Sequence, residues 1–238
     1  MVVFVVGTGS LGAEIAAARL LAPYFGASTL IWANTIGVVL VALSAGYWYG
    51  GKRADRDPSL AGLYRIVLVA AALTALVPFV ADPFLSLAVD ALDSISAGAF
   101  AGSLFAVLVL IATPVFVMGM VSPYALRLAV HAVGDTGTTA GRLYALSTIG
   151  SLTGNFASAL LLIPLIGTRR TFLVFALAFA LVALLGLRRR PLVVAPAAVL
   201  ALMALPVGTI KAAEHPGLRI VDEAETGYQY ARGREQRR

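Results

Sequence analysis

Apolar runs long enough to cross a bilayer dominate this chain, and short polar or proline-glycine stretches punctuate them. A spanning helix needs about 18 to 20 mostly apolar residues. Windows of that kind run from Val3 to Phe25, Thr29 to Gly50, Leu60 to Val80, Gly98 to Met120, Thr139 to Leu165, Thr171 to Leu187 and Leu192 to Ile210. They predict an all-α fold, a polytopic transmembrane helical bundle with about seven membrane-spanning helices. Residues 82–97 are too polar to span and are expected to lie on the surface as a short amphipathic helix, as is SPYALRLAVHAV at 122–133. Pro191, Pro196 and Pro206 leave the last window free to tilt or re-enter.

Composition strengthens this reading. Of 238 residues, 60% are hydrophobic and 13% charged, more apolar material than one soluble core can hide. The net charge of +6 sits in short loops and the tail, which points to membrane orientation and away from nucleic acid. With the amino terminus inside, Lys52, Arg53, Arg56, Arg127, Arg142, Arg188, Arg189 and Arg190 fall on the cytoplasmic side, while Arg19, Arg169, Arg170 and the acidic Asp82, Asp90 and Asp93 fall outside. A cell inner membrane location is expected. Seven crossings would carry residue 211 outside as well. Cysteine is absent, which excludes disulfides, thiolate metal sites and a cysteine nucleophile; His131 and His215 are too isolated for a metal site. No cofactor is expected.

Charges inside the windows are the first candidates for function. Glu14 and Arg19 interrupt GTGSLGAEIAAARLLAPYFG at 7–26. A lone charge at mid-bilayer costs roughly 2.5 to 3.5 kcal/mol on insertion scales, so both should face other helices or a hydrated cavity. No basic residue precedes this apolar run, so it is not expected to act as a cleaved signal. Val2–Val6 followed by Gly7, Gly9 and Gly12 imitates a dinucleotide-binding strand and turn, but no charged residue lies between Leu20 and Gly51 to meet a ribose. On a helix Glu14 neighbours Ser10, Ala17 and Ala18, and Gly9, Ala13 and Ala16 let another helix approach. Arg19 is expected to snorkel to the membrane edge. Glu14 then either pairs with an arginine such as Arg142 or Arg127 or forms a proton or cation site.

A second constellation lies in GRLYALSTIGSLTGNFASALLLIPL at 141–165, where Gly150, Gly154 and Ser158 form a small ridge beside the polar Ser147, Ser151 and Asn155. The ridge suits backbone contact between helices. The polar face suits either hydrogen bonds across that seam or a cavity lined by Arg142, Tyr144 and Asn155. The third is the basic turn YGGKRADRD at 49–57, which anchors topology. Through Gly51, Asp55 and Arg56 it resembles the G-x-x-x-D-R loop motif of the major facilitator superfamily, where the acidic residue caps and gates a neighbouring helix; Asp57 and Pro58 replace the family's following residues.

A longer resemblance covers most of the chain. Residues 12–57, with GAEIAAARLLAPYFG and GYWYGGKRADRD, then MGMVSPYALRLAV at 118–130 and GRLYALSTIGSLTGNFASALLLIPLIGTRR at 141–170, resemble the membrane half of bacterial spermidine-synthase-like integral membrane proteins, the fused major-facilitator/spermidine synthase family. The resemblance implies a membrane domain at 1–211 and, at 212–238, the start of a soluble aminopropyltransferase-like domain. Within the tail, VDEAETGYQYARG at 221–233 resembles the entry strand of a polyamine synthase through Glu225, Thr226, Tyr228 and Gln229, with Gly227 departing from it; Gln229 would inherit a substrate contact. After Arg232 only GREQRR follows, expected to be disordered, with no cradle for an aminopropyl donor and no base for the amine. No catalytic residue is therefore assigned, and enzyme activity is not expected of this stretch. Two functions stay open: a membrane anchor and scaffold that binds polyamine and serves a separately encoded aminopropyltransferase domain, or a small facilitator-type transporter of a cationic or other small solute, completed as a homodimer. The lipid bilayer is the partner in both.

Overall fold

The computed structural model describes residues 1–26, 28–94, 99–130, 136–187, 190–205, 218–225 and 230–236. The chain begins with α1 (Val2–Phe25), α2 (Thr29–Arg56) and α3 (Leu60–Ser94). The next rod is broken: α4 (Ala99–Leu110) and α5 (Ala112–Gly119) lead into α6 (Val121–Ala129). Then come α7 (Thr136–Phe156), a π-helical turn at Ala157–Leu162, α8 (Ile163–Leu187), a 3₁₀ turn at Arg190–Val193 and α9 (Val194–Ala204). An antiparallel pair, β1 (Leu218–Glu225) and β2 (Tyr230–Gln236), closes the described chain, with an irregular register between Ile220 and Asp222. β2 replaces the disorder expected of residues up to Gln236.

This is a multi-pass helical membrane protein. Among the described residues, Val2–Phe25, Ile31–Arg56, Leu60–Leu87 and Thr136–Leu187 are long and apolar enough to cross, and a fifth span forms if Phe100–Leu110 and Ala112–Ala129, bent by 48°, cross as one. Seven spans are not found among the described residues. The windows 139–165 and 171–187 lie in one 52-residue helical stretch that reverses at Gly167, between them, and the last window yields only the 11 described residues of α9, about 16 Å of helix and too short to cross. The break expected between residues 165 and 171 is made at Gly167 (φ 81, ψ 165), a conformation open essentially to glycine alone.

Contacts fix the direction of each rod. Gly150 rests on Phe4 and Gly154 on Thr8, while Ser158 donates to the Gly12 carbonyl at 3.2 Å, so α7 runs parallel to α1. Beyond Gly167 the chain returns: Phe179 covers Gly9 and Phe175 covers Gly12. The helix α3 lies antiparallel to α8, pairing Tyr64 with Gly186 at one end and Asp82 with Arg169 at the other. The broken rod follows α2, joined by the bond from Asn34 to Ser103 at 2.9 Å, by Gly46 on Phe116 and by the Asp55–Arg127 pair. In lipid, where apolar side chains gain nothing by leaving water, such close approach and interhelical hydrogen bonds hold the rods together.

Three local expectations change. Residues 82–94 continue α3 past Pro78 and Pro83 and do not form a separate surface helix. SPYALRLA belongs to the broken rod, and Tyr124 within it is fully buried. The basic turn 49–57 lies mostly inside the last turns of α2, which reaches Arg56.

Candidate functional site

The polar face of α7 borders a sizeable cavity. Tyr144, Ser147, Thr148 and Ser151 from α7, Tyr47 from α2, and Ser122 and Pro123 from α6 enclose about 550 Å³. Spacings of three and four residues put the four α7 groups on one helix face. The adjoining ridge of Gly150, Gly154 and Ser158 is buried on α1, which fixes the rotation of α7 and leaves the polar ridge along the edge of that seam, where it borders the cavity. Ser151 also donates to the Gly7 carbonyl at 3.3 Å, which ties the cavity wall to α1. Seven residues further along α1, about 10 Å deeper, stands Glu14 on the same side of the helix as Gly7 and Ser10. It is half-buried and has no ion pair or hydrogen bond among the described residues.

No lining residue carries a charge. The cavity offers two phenol rings and the hydroxyls of Ser122, Ser147, Thr148 and Ser151, with a carboxylate further in. Such a set suits a cationic, hydrogen-bonding solute: rings attract ammonium by their negative faces, and hydroxyl oxygens accept from N–H. The mouth is basic. Lys52 stacks over Trp48 at 3.6 Å, and Arg53, Arg56, Arg127 and Arg142 share that end of the bundle.

The residues singled out in the sequence divide accordingly. Tyr144 lines the cavity, Asn155 lies half-buried one turn beyond Ser151, and Arg142 is exposed at the rim. Arg127, expected as a partner for Glu14, instead holds Asp55 at 3.1 Å, an exposed pair worth at most about 1 kcal/mol. Arg56 is exposed beside it, and Arg19 is half-buried on α1. Gln229, His131 and His215 lie outside the described residues.

Tyr47, Ser122 and Thr148 were not singled out. The tyrosine inside GYWYGG was the available signal, since a hydroxyl that interrupts an apolar window needs a polar neighbour. A further constellation went unread at the far end: Tyr24 of α1 donates to Asp82 of α3, and the Arg169 guanidinium of α8 stands 3.7 Å from the other oxygen of that carboxylate. No protein-family model, curated protein or solved structure matches the chain.

Proposed function

We propose that this chain is the membrane region of a spermidine-synthase-like integral membrane protein, an anchor and scaffold whose bundle binds a polyamine-type organic cation. The observation that carries this reading is the uncharged cavity of tyrosines and hydroxyls with Glu14 two turns deeper on the neighbouring helix. A ligand with several ammonium groups on a flexible chain can set one between Tyr47 and Tyr144 and extend another toward Glu14. Asn155, one turn past Ser151, lies along that path. Arg142 at the rim repels cations and serves topology, with the basic end on the cytoplasmic side of the inner membrane. The domain boundary is placed near residue 211, and the β1–β2 hairpin opens the soluble part, where Gln229 supplies a substrate contact.

Binding of labelled spermidine to the chain in lipid nanodiscs tests the reading. Saturable binding is expected. Tyr47→Ala and Tyr144→Ala should each weaken it by roughly 3- to 30-fold, the loss of one cation–π contact of about 0.5 to 2 kcal/mol. Glu14→Gln should weaken it at least as much. Absence of saturable binding, or affinity unchanged in all three variants, overturns the assignment. A facilitator-type transporter is the second reading. The Asp55–Arg127 pair favours it, because it fastens the end of α2 to α6 with the carboxylate that the facilitator motif uses as a gate. Net spermidine uptake into sealed proteoliposomes, altered by Asp55→Asn, distinguishes a transporter from a scaffold.

A further inference from the structure

At the end of the bundle opposite the basic mouth, one carboxylate joins three helices. Tyr24 in the last turn of α1 donates to Oδ1 of Asp82, and Nη2 of Arg169 lies 3.7 Å from Oδ2. All three side chains stand within two residues of a backbone breaker. Gly26 (φ 83, ψ −177) ends α1 two residues after Tyr24; Pro83 follows Asp82 directly; Gly167 (φ 81, ψ 165) precedes Arg169 by two. Both glycines hold a backbone state that other residues avoid, and a proline inside a helix removes a hydrogen bond and permits a bend. The contact between rods is therefore made where each rod bends most easily.

Between this bridge and Glu14 the packing is mostly apolar. Ala17, Leu21 and Phe172 belong to one buried cluster there, which Leu85 extends beyond Asp82, and Ala18 is buried on the α1 side that carries Glu14. The cavity borders one side of the bundle, while the far end carries an apolar cluster and a polar clasp.

We infer that the Tyr24–Asp82–Arg169 bridge is a gate, and that its release exposes the level of Glu14 to the opposite face of the membrane. The inference rests on the cation-binding reading given above and adds passage across the membrane to it. An ammonium group that travels past Glu14 and reaches Asp82 takes the place of the Arg169 guanidinium. It thereby satisfies the carboxylate while releasing the Arg169 end of α8 from Asp82, which supplies the difference in affinity between closed and open states that any ligand-driven opening needs. Breakers beside all three partners let the ends of α1, α3 and α8 part without disturbing the α1–α7 seam.

The cysteine-free chain allows a direct test with Ala18→Cys as reporter. A membrane-impermeant maleimide is added from the Asp82 side of oriented proteoliposomes. Labelling should be slow with the bridge intact and rise roughly tenfold or more in Asp82→Asn, because a rate that reads opening follows the open population. Tyr24→Phe should give a smaller rise, and the exchange of Asp82→Arg with Arg169→Asp should restore protection. Should Asp82→Asn fail to fold, Tyr24→Phe and the charge exchange decide. Equal labelling of parent and folded variants overturns the gate. Spermidine binding is measured on the same preparations: its absence, combined with bridge-dependent labelling, overturns the polyamine reading and leaves the gate standing.

Discussion

Tyr124 has its ring fully enclosed and its hydroxyl bonded on both sides: it donates to the Asp57 carbonyl and accepts from the Ser59 N–H at 3.4 Å. Gly62 leaves room for the ring, so the turn between α2 and α3 is folded around this one side chain. Tyr124→Phe keeps the packing and leaves the Asp57 carbonyl without its donor. The expected loss is about 1 to 3 kcal/mol, read as a lower midpoint of unfolding in detergent, whereas Tyr124→Ala should cost about 3 to 5 kcal/mol through the cavity it opens. None of this was legible in SPYALRLAV. Its polar residues pointed to the surface, and burial was decided by Gly62, some sixty positions earlier. Glu14 was legible for the converse reason, since a carboxylate in an apolar run is conspicuous whatever surrounds it.

At the scale of elements, the seam between α1 and α7 carries the site. A methyl group at Gly154 would meet the backbone of Thr8, and one at Gly150 the backbone of Phe4, neither of which can yield without moving a helix. Gly154→Leu should therefore part the two rods and cost roughly 2 to 4 kcal/mol, with spermidine binding lost together with stability. Loss of binding at unchanged stability would contradict the seam's role in aiming Ser147 and Ser151. The four-residue spacing of Gly150, Gly154 and Ser158 made this ridge readable from the sequence. Where the helices stop was less readable. Residues 163–170, IPLIGTRR, mark a reversal between two windows, and the positive φ of Gly167 fixes the residue at which it happens. The window at 192–210 counts apolar residues whatever their backbone state, whereas the described helix within it, α9, spans Val194–Ala204.

For the whole molecule, the bundle has two unlike ends: a basic one, with Lys52, Arg53, Arg56, Arg127 and Arg142, and an opposite one clasped through Asp82. The membrane class followed from composition and apolar length, quantities summed over the chain. The cavity did not, because Tyr47, Ser122 and Tyr144 come from three helices whose juxtaposition depends on how α2, α6 and α7 pack. The far-end clasp was hidden for the same reason.

Water accessibility along α7 tests the central claim, a polar file facing the cavity of a lipid-embedded bundle, most directly. Single cysteines at positions 144, 147, 151 and 155, and at 149, 152 and 156, are labelled in native membranes with a water-soluble maleimide. The account predicts that Tyr144→Cys, Ser147→Cys, Ser151→Cys and Asn155→Cys react and are protected by spermidine, while Ile149→Cys, Leu152→Cys and Phe156→Cys, exposed on the lipid side, do not. Equal reactivity at all seven positions, or reactivity confined to the second group, would contradict it.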